Sequence, residues 1–120
     1  MTPQRVLLVE DDDTTAAFVC QQLIDGGLIP ETVRGGLEAL RKAHNMRFAL
    51  AIVDIDIASE PDGAETADWL RRLYGVPVVV FSMKGDQAGI QHRLPGDQPG
   101  VGWGGPGEVS AVRDLIATVL

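Results

Sequence analysis

The sequence predicts an α/β fold, a doubly wound parallel sheet with helices on both faces. Three observations carry that expectation. Short apolar runs rich in Val, Ile and Leu alternate with stretches whose apolar residues recur at helical spacing, the pattern of successive βα units. The runs VLLV at 6–9, AIV at 51–53 and VPVVVF at 76–81 are continuous rather than alternating, as strands covered on both faces must be. The same runs end in polar groups: Glu10 and Asp11, then Asp54, then Ser82. In a parallel α/β sheet that is the edge where ligands bind.

The elements follow in order. Val6–Val9 is the first strand, ended by Glu10, Asp11, Asp12 and Asp13. A helix is expected from about Thr14 to Ile24, with Gly26 and Gly27 as its stop signal. Leu28–Val33 is a weaker strand; Pro30 inside it predicts a sheet edge, because proline cannot donate to a ladder on both sides. Gly36–Ala43 is a second helix and Phe48–Val53 a third, β-branched strand. Asp62 and Glu65 have the spacing of a capping box. The helix behind them carries Ala67, Leu70, Leu73 and Tyr74 on one side and closes at Gly75. Val76–Phe81 is a fourth strand, with Pro77 near its start, and Glu108–Leu120 a last helix. Between them, residues 84–107 hold eight of the 14 glycines and three of the seven prolines, which leaves room only for a brief helix near 86–93 and a short fifth strand near 101–103.

Bulk properties narrow the function. The 120 residues suit one domain, and 45% hydrophobic residues rule against disorder. Neither a signal-peptide layout nor an apolar run of the roughly 18 residues a membrane helix needs is present. Cys20 is the single cysteine, so no internal disulfide can form, which fits a reducing, cytoplasmic setting. A net charge of −7 argues against non-specific nucleic-acid binding, which rests on neutralising phosphates.

The stretch AIVDIDIASEPDG poses the chemical question. An apolar run leads straight into Asp54 and Asp56. If the first and third strands are neighbours, Glu10, Asp11 and Asp54 meet at one edge, where unpaired carboxylates repel and raise one another's pKa. A divalent cation removes the conflict, and hard oxygen ligands with few dedicated protein groups favour Mg²⁺.

These residues also carry a resemblance. VLLVEDD, then VDIDIAS with Gly63 nine residues after Asp54, then VPVVVFS, resembles the receiver domain of two-component response regulators, in order and over the whole chain. The resemblance implies a (βα)5 flavodoxin-like sandwich, CheY-like, with parallel sheet order 2-1-3-4-5. It implies that Asp54 is the phospho-acceptor, Asp11 a direct Mg²⁺ ligand, Glu10 its companion acid acting through water, and the Asp56 backbone carbonyl a further ligand. Ser82 matches the hydroxyl that bonds the phosphoryl group. The implied partners are a histidine kinase or phosphotransfer protein and a downstream protein target, with no nucleic acid and no membrane.

One part of the family pattern is missing. Receivers carry a lysine after the fifth strand, followed by a proline; Pro106 matches that proline, but Gly105 stands before it. The aromatic switch position falls on Gly102, with Trp103 one place off. Lys84, two residues past Ser82, is a candidate substitute, against its reading as a solvated surface lysine. Three rivals follow. A pseudo-receiver would use the fold only to bind protein. The Asp54-x-Asp56 arrangement also occurs in haloacid-dehalogenase-like phosphatases, though at their N-terminus. Glu10 with Asp54-x-Asp56 resembles a Toprim domain, which places glycine sooner after the second aspartate.

Overall fold

The computed structural model describes residues 4–82, the side chain of Ser82 excepted, and the backbone of Gly89–Gln91, Arg93–Leu94 and Gln98–Pro99. Strand β1 (Arg5–Val9) leads into helix α1 (Asp13–Asp25), followed by β2 (Ile29–Val33), α2 (Gly36–Asn45), β3 (Leu50–Asp54), α3 (Gly63–Tyr74) and β4 (Val78–Ser82). The four strands are parallel, in the order β2-β1-β3-β4. Every one of these elements agrees with its expected span to within about two residues.

Period two in the strands sorts their side chains into two cores. Val6 and Leu8, Leu50 and Ile52, and Val79 and Phe81 point to one face, where Val19 and Leu23 of α1 cover them. Leu7 and Val9, Ala51 and Val53, and Val78 and Val80 point to the other, under Ala39 and Ala43 of α2 and Ala67 and Leu70 of α3. All five residues of β3 are buried. That explains the unbroken apolar runs, and it places the end of β3 in the middle of the sheet.

Strand β2 lies at the sheet edge, as Pro30 predicts. Ile29 N donates to Gln4 O, and Val33 O accepts from Glu10 N. Odd-numbered residues of β2 therefore bond towards β1, and the Pro30 nitrogen faces outward.

Helix α3 begins as its sequence requires. Asp62 Oδ1 accepts from Glu65 N at 2.8 Å, and Asp62 N donates to Glu65 Oε1 at 3.4 Å, a complete capping box. The helix ends at Gly75, whose φ of 63° is a conformation glycine adopts without a Cβ penalty. Its first residue, Gly63, packs directly on the end of β3. A Cβ there would lie 2.4 Å from Asp54 O and 2.6 Å from Ile55 Cα, both backbone atoms that cannot swing aside. Gly63→Ala is therefore expected to lose about 1–3 kcal/mol of stability, read as a lower urea midpoint at unchanged slope. A midpoint equal to that of the unaltered protein would show that helix and strand can part without cost.

The region after β4 differs from expectation. Where a brief helix near 86–93 is expected, β5 (Gly89–Gln91) pairs antiparallel with β4 instead. A small separate sheet joins β6 (Arg93–Leu94) to β7 (Gln98–Pro99). Gly89, in the middle of that span, weakens a helix by about 1 kcal/mol, and the open edge of β4 offers a row of backbone partners to an extended segment instead. The fifth parallel strand expected near 101–103, the last helix, Lys84 and Pro106 lie outside the described residues.

Candidate functional site

The parallel register fixes where the acids go. Val9 of β1 is opposite Val53 of β3, so Glu10 and Asp54, each one residue further on, leave adjacent strands at the same level. Asp54 itself is opposite Phe81, which puts Ser82 one position beyond, at the carboxyl end of the next strand. Glu10, Asp11 and Asp54 each offer an oxygen within 4.8 Å of the others. Among the described residues they are the one group of three or more His, Cys, Asp or Glu side chains close enough to share a cation.

Their environments are unequal. Glu10 is 3% exposed and Asp54 5%, whereas Asp11 is half-buried. Backbone amides hold the carboxylates in place. Asp12 N donates to Glu10 Oε1 at 3.2 Å, Asp56 N to Asp54 Oδ1 at 2.9 Å, and Ala58 N to Asp11 Oδ2 at 3.1 Å. The other Glu10 oxygen, Oε2, is buried and has no hydrogen-bond donor. Burial pushes the Glu10 carboxyl from its ordinary 4.5 up to about 8. Asp54 adds to the rise, because a proton on Glu10 can be shared with it and because two like charges repel; Asp11 adds a smaller repulsion, and the Asp12 amide opposes them.

The rest of the acidic run does what a helix start requires. Asp12 caps α1, its Oδ2 accepting from Thr15 N at 2.8 Å and from Thr15 Oγ1 at 2.7 Å. Those bonds hold the Asp12 carboxyl below its usual range. Asp56 lies in the turn after β3, and with Glu10, Asp11, Asp12, Thr15, Asp54 and Ala58 it lines a cleft of about 350 Å³. A larger cleft of about 710 Å³ lies at the opposite end of the strands, between Phe48 and Tyr74, and no carboxylate lines it. Size therefore does not pick out the chemistry; convergent charge does.

The donor set suits a hard divalent cation such as Mg²⁺: three carboxylates, all oxygen ligands, with one buried oxygen left unsatisfied by the protein. Two contributors lacked any sequence signal of their own. The Ala58 amide reaches Asp11 across the β3–α3 loop. Arg34, directly after β2, donates from Nη2 to Asp11 O at 2.8 Å and from Nη1 to the Asp13 carboxylate. Only its place at the carboxyl end of the strand next to β1 could have pointed to it.

A family model described as the response regulator receiver domain matches residues 6–96. The chain belongs to that family. Similar proteins to this receiver domain include the polar-differentiation response regulator DivK of Brucella anthropi, 33% identical over 74% of this chain and 76% of that protein. The transcriptional activator protein IrlR of Burkholderia pseudomallei is 29% identical over 68% of the chain. The receiver domain spans only 35% of the length of that activator. Among solved structures, the chemotaxis response regulator CheY4 of Vibrio cholerae superposes with a TM-score of 0.75 at 26% identity, over 99% of this chain and all of that one. The flavodoxin-like, CheY-like arrangement of the four parallel strands is thus shared with the family, and the Toprim and haloacid-dehalogenase-like alternatives fall away. Among the described residues no helix is long and apolar enough to cross a membrane.

Proposed function

We propose that this receiver domain accepts a phosphoryl group on Asp54 and passes the signal on through protein contacts. The observation that carries the proposal is the convergence of Glu10, Asp11 and Asp54 within 4.8 Å, two of the three buried, at the carboxyl edge of the sheet. An Asp54 oxygen bonds to phosphorus as the phosphorus–nitrogen bond of a phosphohistidine breaks; the departing imidazole takes a proton from solvent. Asp54 Oδ1 is already oriented by the Asp56 amide, which fixes the carboxylate before the donor arrives. Glu10, Asp11, Asp54 and the Asp56 carbonyl would hold Mg²⁺, which when bound offsets charge on the transferring oxygens. The Ser82 hydroxyl supplies a donor to the new phosphoryl group, and Lys84 is the nearest candidate in sequence for the missing lysine.

A histidine kinase or phosphotransfer protein is the proposed donor, and a protein the proposed target. The domain is proposed to work in the cytoplasm, as no more of an enzyme than loss of its own phosphate would make it. The test is intact-protein mass after incubation with acetyl phosphate and Mg²⁺, with Asp54→Ala alongside. A phosphoryl mass gain that needs Mg²⁺ and is absent from the variant is expected. A folded chain that gains no mass, and is inert to histidine-kinase donors too, would instead be a pseudo-receiver that binds protein without phosphotransfer.

A further inference from the structure

We infer that Arg34 is a positioning residue for the carboxylate cluster, a clamp that sets where Asp11 stands; the inference rests on reading that cluster as a cation site. Two bonds define the clamp. Nη2 holds the backbone carbonyl of Asp11 and Nη1 the carboxylate of Asp13, so one planar guanidinium spans the turn between β1 and α1. The backbone beside it is fixed as well, because Glu10 N donates to Val33 O, immediately before Arg34.

Asp11 is thus held from two sides. Arg34 grips its main chain from the β2–α2 loop, and the Ala58 amide grips its carboxylate from the β3–α3 loop. Of the three clustered acids it is the least buried, so packing contributes least to its placement. Arg34 does not touch the cleft and is absent from its lining. Its hydrogen bonds go to Asp11 and Asp13.

Charge and position make opposite predictions. As a cation beside a cation site, Arg34 repels Mg²⁺, and its removal should tighten binding. As a clamp it pre-forms the ligand set, and its removal should weaken binding, on the order of tenfold for a residue that orients a metal ligand. Global stability does not confuse the two. The Arg34–Asp13 pair is 59% and 89% exposed, and exposed pairs contribute little to folding.

The experiment is calorimetric titration of the 120-residue chain with Mg²⁺, comparing the unaltered protein with Arg34→Ala and Arg34→Lys, and amide hydrogen exchange of Ala58 in the metal-free proteins. Weaker Mg²⁺ binding in both variants is expected, at an unchanged melting temperature, with faster exchange at Ala58. Binding by Arg34→Ala as tight as that of the unaltered protein or tighter would overturn the clamp. Full rescue by lysine would show that the two-pronged guanidinium is not what positions Asp11, and overturns the clamp equally. Absence of Mg²⁺ binding by the unaltered protein would instead refute the cation site; the exchange rate of Ala58, which needs no metal, then decides whether Arg34 still orders the turn.

Discussion

Asp54→Asn is expected to abolish the Mg²⁺-dependent phosphoryl mass gain and, in metal-free solution, to make the protein more stable. The first effect follows from chemistry: an amide oxygen is not the nucleophile that a carboxylate is, and the cluster loses one of its three charges. The second follows from burial. Once Glu10 has lost its proton, near pH 8, its buried Oε2 is an acceptor with no donor. A buried acceptor left without a partner costs about 1–3 kcal/mol. Asparagine keeps an oxygen for the Asp56 amide, which Asp54 Oδ1 now accepts at 2.9 Å, and brings an N–H₂ that can donate to Glu10. The like-charge repulsion disappears at the same time. Thermal unfolding in EDTA near pH 8 should show the gain as a melting temperature higher by on the order of 4 °C for each kcal/mol. A variant that melts lower would mean that the Asp54 charge is anchored by its surroundings rather than opposed by them. One that still takes up phosphate would place the acceptor elsewhere.

The raised Glu10 pKa predicts an unusual pH profile. In the folded protein Glu10 holds its proton up to about pH 8, whereas an unfolded chain releases it near the ordinary value of 4.5. Between those limits the folded state binds the extra proton, so stability falls as pH rises. The contribution is fully present below about 4.5 and gone above about 8. It amounts to on the order of a few kcal/mol, at no more than about 1.4 kcal/mol per pH unit. Urea midpoints in EDTA from pH 5 to 8.5 should decline in the unaltered protein and decline less in Glu10→Gln, which has no proton to lose. Parallel profiles would show that Glu10 ionises in place without cost. Mg²⁺ needs the ionised carboxylate, so its binding below pH 8 should release a proton. Calorimetry in two buffers of different ionisation enthalpy reads that release directly.

Much of the fold was legible because the hydrophobic pattern has one solution. The three apolar runs read as doubly covered strands, Pro30 pointed to a sheet edge, and Asp62 with Glu65 announced the start of α3. The convergence of Glu10, Asp11 and Asp54 was legible for the same reason, since strand order and a common carboxyl edge bring them together before any side chain is placed. What the sequence hid were contacts between loops. Neither the Ala58 amide nor Arg34 belongs to a periodic pattern, and their partners are 47 and 23 residues away along the chain. The unequal burial of the acids was hidden too, because it depends on how the loops close over Glu10. The glycine-rich stretch after β4 misled for a different reason. Local propensity there is weak in every state, so the open edge of β4 took up Gly89–Gln91 as a strand where residue type had suggested a turn of helix.

The outward-facing nitrogen of Pro30 has a consequence for how these molecules behave in a crowd. A strand from another chain that aligned itself along β2 would seek the donors pointing away from β1, which come from residues 30 and 32. Proline supplies none, so only Thr32 remains among the five residues Ile29–Val33. Beside it, Glu31 is drawn to Lys42 at 3.4 Å, which keeps charge close to the margin. This flank is a poor template for lateral strand addition, so growth of one sheet into the next is blocked there by a missing hydrogen atom rather than by bulk.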